Sequence, residues 1–202
     1  MKLYYSTGAC SLAAHIALAE VGLQYDLAKV NLKNHQLADG GDFYAINPKG
    51  YVPALAIDGE PLLTEVSAVL QYIADQKPSS GLAPAAGTMA RYRLQEWLSY
   101  IGTEVHKVLG SLFYPSADPA VREATVKKIS GRLDYITKAM GNHPYLMGDT
   151  FTVADAYLYV VLNWAPMLKV DLGPWPAIQQ YMARIAARPG VQTALRAEGL
   201  LK

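Results

Sequence analysis

Cysteine is nearly missing from this chain, which has Cys10 and no other among its 202 residues. One cysteine cannot form a disulfide within the chain, and no CxxC pair is present to bind zinc or to cycle as a dithiol. An excess of one charge is missing too, because 18 basic residues are balanced by 17 acidic ones for a net charge of +1. Nothing in this balance argues for a strongly basic surface, so we expect no nucleic-acid partner.

Long hydrophobic runs are also absent. No stretch of about 18 apolar residues lacks charged side chains, so we expect no segment that spans a membrane. Residues 1–5 lead directly into a polar turn, without the apolar stretch of a secretion signal. These absences and the lone thiol are typical of a reducing compartment, and we expect a cytoplasmic protein. With 51% hydrophobic residues, the chain is long enough for one large domain or two small ones.

The first 77 residues alternate patterns of strand and helix. The predicted elements are a strand at 2–5, a helix at 11–21, a strand at 24–32, a loop at 33–49 with one poor helix near 42–46, two short strands around an Asp58-Gly59 turn, and a helix from 64 or 65 to about 75. The opening strand, helix and strand form a βαβ unit, whose right-handed crossover makes the two strands parallel. This order predicts an α/β domain over residues 1–77.

Proline, glycine and serine dominate residues 78–87, which we interpret as a linker. From residue 88 to 202 the hydrophobic period is helical throughout, and this predicts an all-α second domain. Its first long helix has an apolar stripe and, beside it, a stripe of small and polar residues. The second stripe consists of Ser99, Thr103, His106 and Gly110.

Two later helices have clear start signals. Asp118 followed by Pro119 opens a helix that should run to about Met140. Thr152 and Asp155 form a capping box before a segment with almost no charge. We expect that second helix to be buried in the middle of the all-α domain, and a further helix to follow over residues 176–187.

The segment around Cys10 is the first candidate site. Residues 6–9 should form a turn between strand and helix, with Gly8 free to adopt unusual dihedrals, and this places Cys10 at the start of the helix. Unpaired N–H groups and the positive end of the helix dipole favour an anion there, and a thiolate is both an anion and a nucleophile. The alternative is that a lone cysteine serves as a small buried hydrophobic residue.

Five motifs of this chain, in the same order and spacing, resemble the bacterial beta class of the cytosolic glutathione transferases. That class has cysteine where other classes use tyrosine or serine. The motifs are GACSL at 8–12, NPKGYVPAL at 47–55, LLTE at 62–65, EVHK at 104–107 and FTVADAY at 151–157. The resemblance covers the whole chain. It implies a thioredoxin-like N-terminal domain of order βαβ-α-ββα, followed by an all-α domain that carries the second-substrate site.

The resemblance also implies the catalytic pair. In the beta class a cysteine lies near the sulfur of glutathione and a histidine of the long helix joins it, and the matching residues are Cys10 and His106. A helix N-terminus, a thiol and an imidazole at one sulfur would lower its pKa and raise the thiolate fraction at neutral pH. His106 could instead be a structural histidine at a domain interface.

The resemblance further implies the contacts to the peptide of glutathione. Tyr51, Val52 and Pro53 would bind its backbone like an added strand, with a cis bond between Val52 and Pro53. Glu65 would hold the γ-glutamyl amino group, and the main chain of Val66 would contact the same end. Glu65 could instead be an acid favoured in the first turn of a helix.

Three positions depart from the family pattern. Relatives often bring a lysine to the glycyl carboxylate of glutathione, where this chain has His35, with Lys33 two residues earlier; His35 would serve only when protonated. Many relatives have serine where this chain has Val66. The partner subunit of the expected homodimer commonly supplies an Asn, where this chain has Ser99, with Thr103 as a further candidate contact.

The predicted function is conjugation of the glutathione thiolate to electrophilic, mostly apolar small molecules. Glutathione is the expected co-substrate, and no metal is expected. Thiol-disulfide or peroxidase chemistry through Cys10 is a possible side activity. Two alternatives stay open: a glutathione-dependent reductive dehalogenase or isomerase, which would use the same activated sulfur, and a non-catalytic adaptor of the same fold, which would need none of the site residues.

Overall fold

A computed structural model of the protein describes residues 1–114 and 118–201. The chain divides into two compact units. One consists of Met1–Ala83 together with Arg188–Lys202, and the other of Pro84–Ala187. The sequence placed residues 188–202 in the helical domain, whereas the structure packs them with the first unit. The boundaries 1–77, 78–87 and 88–202 otherwise stay a prediction.

The first unit contains a five-stranded mixed sheet and its helices. The elements are β1 (Lys2–Tyr5), α1 (Ser11–Val21), β2 (Asp26–Asn31), β3 (Gln36–Leu37), a 3₁₀ turn at Phe43–Ala45, β4 (Ala54–Ala56), β5 (Leu63–Thr64), α2 (Val66–Asp75) and a 3₁₀ turn at Pro78–Ser80. The strand order is β3-β2-β1-β4-β5. Strands β1 and β2 are parallel as predicted, and the other pairs are antiparallel. The expected thioredoxin-like order is confirmed.

Two details of this sheet were not predicted. Residues 33–49 were interpreted as a loop with a poor helix, but they contain β3, which pairs with β2. The turn between β4 and β5 is longer than the two residues Asp58 and Gly59, because Ala54 pairs with Thr64 and Leu55 with Leu63. Pro61 explains part of this length, since proline has no N–H to give to a strand ladder.

The second unit is helical. Its elements are α3 (Met89–Tyr100), a π-helical segment (Ile101–His106), α4 (Lys107–Gly110), a 3₁₀ turn (Ser111–Phe113), α5 (Pro119–Met140), α6 (Val153–Leu162) and α7 (Pro176–Ala186). The predicted long helix is therefore present from α3 to α4, with a π-helical segment between them in place of regular α-helix. Such segments in α-helices are frequently found at functional sites.

Helix α6 is the buried centre of this unit, as its lack of charge predicted. All ten of its residues are buried. The predicted capping box is present: the backbone N–H and the hydroxyl of Thr152 both donate to Oδ2 of Asp155, at 2.8 and 2.9 Å. The buried Asp155 carboxylate also accepts from the backbone N–H of Leu146 and the hydroxyl of Tyr181. This network satisfies a charge that would otherwise be costly to bury.

The last helix, α8 (Pro189–Ala197), returns to the first unit and packs along α1. Two side-chain contacts join these segments. Arg188 binds the carboxylate of Glu20 through two nitrogens, at 2.7 and 3.0 Å, and Glu198 contacts His15 at 2.9 Å. Helix α1 contacts β1, α2 and α8, and most of its residues are buried.

No helix within the described residues, 1–114 and 118–201, has both the length and the hydropathy to cross a bilayer.

Candidate functional site

Cys10 lies at the N-cap of α1, immediately before the first helical residue. The preceding turn is fixed by Ser11, whose hydroxyl accepts from the backbone N–H of Ser6 at 3.1 Å and donates to its carbonyl at 3.3 Å. From the sequence alone, Ser11 had no role beyond the start of the helix. Gly8 in this turn has φ +70°, a left-handed conformation that favours glycine. Serine and glycine together therefore hold Cys10 at the mouth of the helix.

The thiol of Cys10 donates to the main-chain carbonyl of Val52 at 3.1 Å. Val52 is buried and joined to Pro53 by a cis peptide bond, immediately before β4 begins at Ala54. The cis bond that the family resemblance implied is present. Cys10 and Val52, which are far apart in the sequence, are thus in contact through the sulfur of Cys10 within the first unit.

Burial raises the pKa of the Cys10 thiol to about 12, although the residue as a whole is only partly buried. The backbone N–H groups of Cys10 and Ser11 at the helix start act in the opposite direction, and the nearby Glu65 carboxylate raises the pKa further. Desolvation therefore outweighs the helix terminus. The expectation of a thiolate at Cys10 is wrong for the ligand-free protein, in which the thiol keeps its proton at neutral pH.

Glu65 adopts a conformation that is unusual for a residue with a side chain. Its φ is +70°, and it forms the N-cap of α2, although its carboxylate accepts no hydrogen bond from the helix. The carboxylate instead binds the Nζ of Lys49 at 2.6 Å, and the same Nζ lies 3.0 Å from the hydroxyl of Thr64. Both members of the Lys49–Glu65 pair are largely exposed. A non-glycine residue at positive φ costs about 1 kcal/mol or more, and such strain is concentrated at functional sites.

Val66 is the first residue of α2. The first four N–H groups of a helix have no acceptor inside the helix, so the main chain at Val66 and Ser67 can receive an anionic group. The Val66 side chain has no polar atom to add to this contact.

Asn47 shapes the loop that leads to Val52, a role that was not predicted from the sequence. This residue is buried, and its side chain donates to the carbonyl of Tyr51 at 2.8 Å and accepts from the backbone N–H of Lys49 at 3.2 Å. The Tyr51 side chain, by contrast, is 73% exposed. The signal available in the sequence was the residue type, because the amide of an Asn in a turn can satisfy backbone groups on both sides.

His35 is attached to the same loop. Its Nδ1 lies 3.1 Å from the carbonyl of Gly50, and its ring packs on Tyr44 with centroids 4.4 Å apart. A carbonyl can only accept, so Nδ1 carries the hydrogen and Nε2 is the nitrogen that can meet a ligand. Gly50 is required here, since a Cβ at this position would lie 2.6 Å from the Tyr44 ring. Lys33, the alternative to His35, is exposed two residues earlier.

In the second unit, His106 is the last residue of the π-helical segment. Its Nδ1 lies 2.6 Å from the hydroxyl of Tyr157 on α6, and the Trp164 ring packs edge-on with centroids 5.0 Å apart. Burial lowers the pKa of His106 to about 4, so the imidazole is neutral at pH 7. Tyr157 belongs to the FTVADAY motif at 151–157, but no role was predicted for it. Only the packing of α6 against the π-helical segment reveals it.

Ser99 and Thr103 are both exposed on the helical run that precedes His106. The hydroxyl of Thr103 donates to the carbonyl of Ser99 at 3.0 Å. Glu104, in the same segment, binds Arg132 of α5 through two nitrogens, at 2.5 and 3.1 Å. The π-helical segment is thus anchored by α5 on one side, while Ser99 and Thr103 face outward.

No group of three or more His, Cys, Asp or Glu side chains in the described part of the chain is arranged to hold a metal ion.

Comparisons with known proteins identify the family. The models described as "Glutathione S-transferase, N-terminal domain" and "Glutathione S-transferase, C-terminal domain" match residues 7–76 and 97–189. The glutathione S-transferase GstA of Escherichia coli O157:H7 is 44% identical over 200 residues, which are 99% of this chain and 100% of that protein.

Two solved structures have the same fold. A sphingomonad glutathione S-transferase complexed with glutathione has a TM-score of 0.94 and 45% identity, covering 99% of this chain and 100% of that one. The bacterial beta class glutathione S-transferase of Sphingomonas chungbukensis has a TM-score of 0.94 and 44% identity, covering 100% of both chains. The resemblance inferred from the motifs is confirmed. This chain therefore belongs to the glutathione S-transferase family.

Proposed function

We propose that this protein joins the sulfur of glutathione to an electrophilic carbon of an apolar small molecule. The observation that carries the proposal is the hydrogen bond from Cys10 to Val52, because it puts the residue expected at the sulfur beside the residue expected at the peptide backbone. Family membership and the names of the relatives support the same reaction.

In this proposal the first unit binds the tripeptide through its main chain. Val52, with Tyr51 and Pro53 on either side, pairs with the peptide of glutathione like an added strand. Glu65 receives the γ-glutamyl amino group, and the N–H of Val66 meets the neighbouring carboxylate. The Lys49–Glu65 ion pair has to open or to share its carboxylate when the amino group arrives. His35 or Lys33 meets the glycyl carboxylate.

The nucleophile is the thiolate of glutathione and not that of Cys10. A thiol with a pKa of about 12 keeps its proton at neutral pH, so Cys10 can turn its one hydrogen from the carbonyl of Val52 to the bound sulfur and act as its hydrogen-bond donor. His106 is neutral, and when its Nδ1 accepts from Tyr157, its Nε2 carries a hydrogen that can be donated to the same sulfur. Both donors favour the anion and lower the pKa of the thiol of glutathione.

The reaction then needs no redox step. The thiolate attacks the electrophilic carbon, a C–S bond forms, and with an activated aryl halide the halide leaves with its electron pair. Thiol-disulfide or peroxidase chemistry through Cys10 becomes a minor activity, since it would need the Cys10 thiolate that burial disfavours.

The working state that we propose is a homodimer in the cytoplasm. A lone cysteine at the site stays available only where thiols are kept reduced. Ser99 and Thr103 are exposed in the single chain, so they are accessible to glutathione held by a partner subunit.

The test is turnover of glutathione with a panel of activated aryl halides and other electrophiles, together with calorimetric titration of glutathione. We expect binding and conjugate formation in the wild-type protein, and a loss of about 10²-fold or more in turnover for His106→Ala, because it removes a preorganised donor. Binding without any conjugation across the panel contradicts the transferase. If glutathione does not bind, the result favours the alternative of a non-catalytic adaptor of the same fold.

A further inference from the structure

His35 is fixed in one orientation beside the loop that carries Val52. Its φ is +55°, a left-handed conformation that is uncommon for a residue with a side chain, and its carbonyl accepts from the backbone N–H of Phe43 at 2.8 Å. The Nδ1–H group donates to the carbonyl of Gly50 at 3.1 Å, and one face of the ring packs on Tyr44. The backbone and the imidazole of this partly exposed residue are therefore both held.

The two ends of glutathione need two different partners around Val52. In the proposed binding mode the γ-glutamyl end lies at Glu65, so the glycyl carboxylate at the other end of the extended tripeptide has to lie away from that residue. The basic residues of the segment 33–51 are Lys33, His35 and Lys49. Lys49 belongs to the γ-glutamyl end, because its Nζ binds Glu65 at 2.6 Å. His35 is bonded directly to the loop that carries Val52, through Gly50.

We propose that His35 binds the glycyl carboxylate and takes up a proton from the solvent when glutathione binds. In the neutral ring the one hydrogen is on Nδ1 and is donated to Gly50, so Nε2 presents a lone pair to an incoming carboxylate. A second hydrogen on Nε2 makes the ring a cation and a donor, and a charge-assisted hydrogen bond to the carboxylate forms. The proton returns to the solvent when glutathione leaves.

The affinity for glutathione therefore rises as the pH falls. The complex holds one more proton at His35 than the free protein does when its ring is neutral, and a lower pH favours the state that binds more protons. This inference rests on the proposed function, since it requires glutathione at this site, and it adds a dependence on pH.

The other titratable groups near His35 do not account for such a dependence. Those on its own segment and on the two segments that contact it, 38–45 and 47–51, are Lys33, Asp39, Asp42, Tyr44, Lys49 and Tyr51. Asp39 and Asp42 accept backbone N–H groups two residues later in their own turns. Carboxyl, amino and phenol groups ordinarily change charge outside the range from pH 6 to 8, whereas histidine does so within it.

The test is calorimetric titration of the full-length protein with S-methylglutathione between pH 6 and 8. The methyl group removes the thiol, whose ionisation in the site would add a pH dependence of its own. We expect the affinity of wild type to fall about fivefold from pH 6 to 8, because a charge-assisted bond at a partly exposed residue is lost. Titrations at pH 7 in phosphate and in Tris, which differ in ionisation enthalpy, should show a net uptake of protons on binding.

Two substitutions separate the charge of His35 from its shape. His35→Gln has no cation, so we expect binding about fivefold weaker than wild type at pH 6 and within about twofold of it at pH 8. His35→Lys keeps a cation over the whole range, so its affinity should be constant and about fivefold higher than that of wild type at pH 8. Neither new side chain is β-branched, so both accept the positive φ about as well as histidine does.

His143→Gln is the matched control. His143 is an exposed histidine of the other unit, where it lies 3.4 Å from the Asp149 carboxylate. We expect this variant to keep the pH dependence and the proton uptake of wild type. A pH dependence that persists in His35→Gln would overturn the proposal. Loss of affinity in Lys33→Met but not in His35→Gln would also overturn it, since it would assign the carboxylate to Lys33.

The same titrations distinguish this inference from the proposed function. If wild type binds neither glutathione nor S-methylglutathione at any pH, the proposed function falls and this inference falls with it. If wild type binds with constant affinity and without proton uptake, only this inference falls. If glutathione binds but its methylated form does not, or if His35→Gln does not fold, the difference in pH dependence between wild type and His35→Lys decides.

Discussion

The thiol of Cys10 donates to the carbonyl of Val52 over 3.1 Å, and this contact joins the start of α1 to the loop before β4. The donor role of Cys10 follows from it, because a thiol that gives its hydrogen to a carbonyl is protonated. The group of Val52 that contacts the thiol is its carbonyl oxygen, which can only accept a hydrogen bond. A thiolate at the same place would have no hydrogen to donate to that oxygen. The same geometry that puts Cys10 in the site therefore disfavours its anion.

The first prediction concerns the ionisation of Cys10. With its pKa raised to about 12, the alkylation rate by iodoacetamide should increase about tenfold per pH unit between pH 7 and 10 without reaching a plateau, because the thiolate fraction keeps growing. The measurement is the rate of mass gain in the ligand-free protein. A free-thiol peptide is the control, and its rate should level off above about pH 8.5. A plateau in the protein near pH 8.5 or below would contradict the prediction.

The second prediction concerns the backbone at Glu65. Because φ is +70° there, Glu65→Gly should be more stable than Glu65→Ala by about 1 kcal/mol, measured by urea unfolding. Both variants should bind glutathione at least about tenfold more weakly than wild type, since each lacks the carboxylate. Lys49→Met is the control, because it removes the cation and leaves the carboxylate in place. Equal stability of the glycine and alanine variants would show that the backbone is not strained.

The third prediction concerns the charge of His106. Its pKa is about 4 in the folded protein and about 6.5 when unfolded, so the unfolded chain binds the proton first as the pH falls. The contribution of the neutral ring to stability is fully present above about pH 6.5 and is lost as the pH falls through 4. We expect the difference in unfolding free energy between wild type and His106→Gln to shrink over that window by no more than about 3 kcal/mol.

Nuclear magnetic resonance provides the direct check on His106. The ring protons should not titrate between pH 5.5 and 8. An inflection near pH 6.5 assigned to His106 would contradict the third prediction.

The fourth prediction concerns Tyr157. Tyr157→Phe removes the hydroxyl that lies 2.6 Å from Nδ1 of His106, so that the ring loses the partner that selects its tautomer. We expect kcat to fall about tenfold while the affinity for glutathione changes by less than about threefold. Tyr159→Phe is the control, since Tyr159 is buried on the same helix. Equal losses in the two variants would indicate damage to α6 and not to His106.

Local patterns in the sequence were sufficient for much of this fold. The βαβ order, the buried α6 and its capping box are determined by hydrophobic period and capping residues close together in the chain. The cis bond before Pro53 came from the family motif and not from the residues alone. These elements were predictable because each depends on neighbours in sequence.

The remaining features depend on contacts that no local pattern contains. Helical period alone cannot distinguish a π-helical segment at Ile101–His106 from a regular helix. The backbone N–H of Gly8 donates to the carboxylate of Glu198, which is 190 residues away in the sequence. The contact between His15 and Glu198 likewise exists only because α8 packs on α1. The raised pKa of Cys10 had the opposite sign to the prediction, because the helix start was visible in the sequence and the desolvation was not.

The most direct test of the account is the ultraviolet absorbance of the thiolate during titration with glutathione at neutral pH, in wild type and in Cys10→Ala. We predict a saturable thiolate band in both proteins, because the anion belongs to glutathione and Cys10 only donates to it. The band should be weaker in Cys10→Ala, which lacks one of the two proposed donors. No band in either protein, or a band in wild type that vanishes in Cys10→Ala while glutathione still binds, would contradict the account.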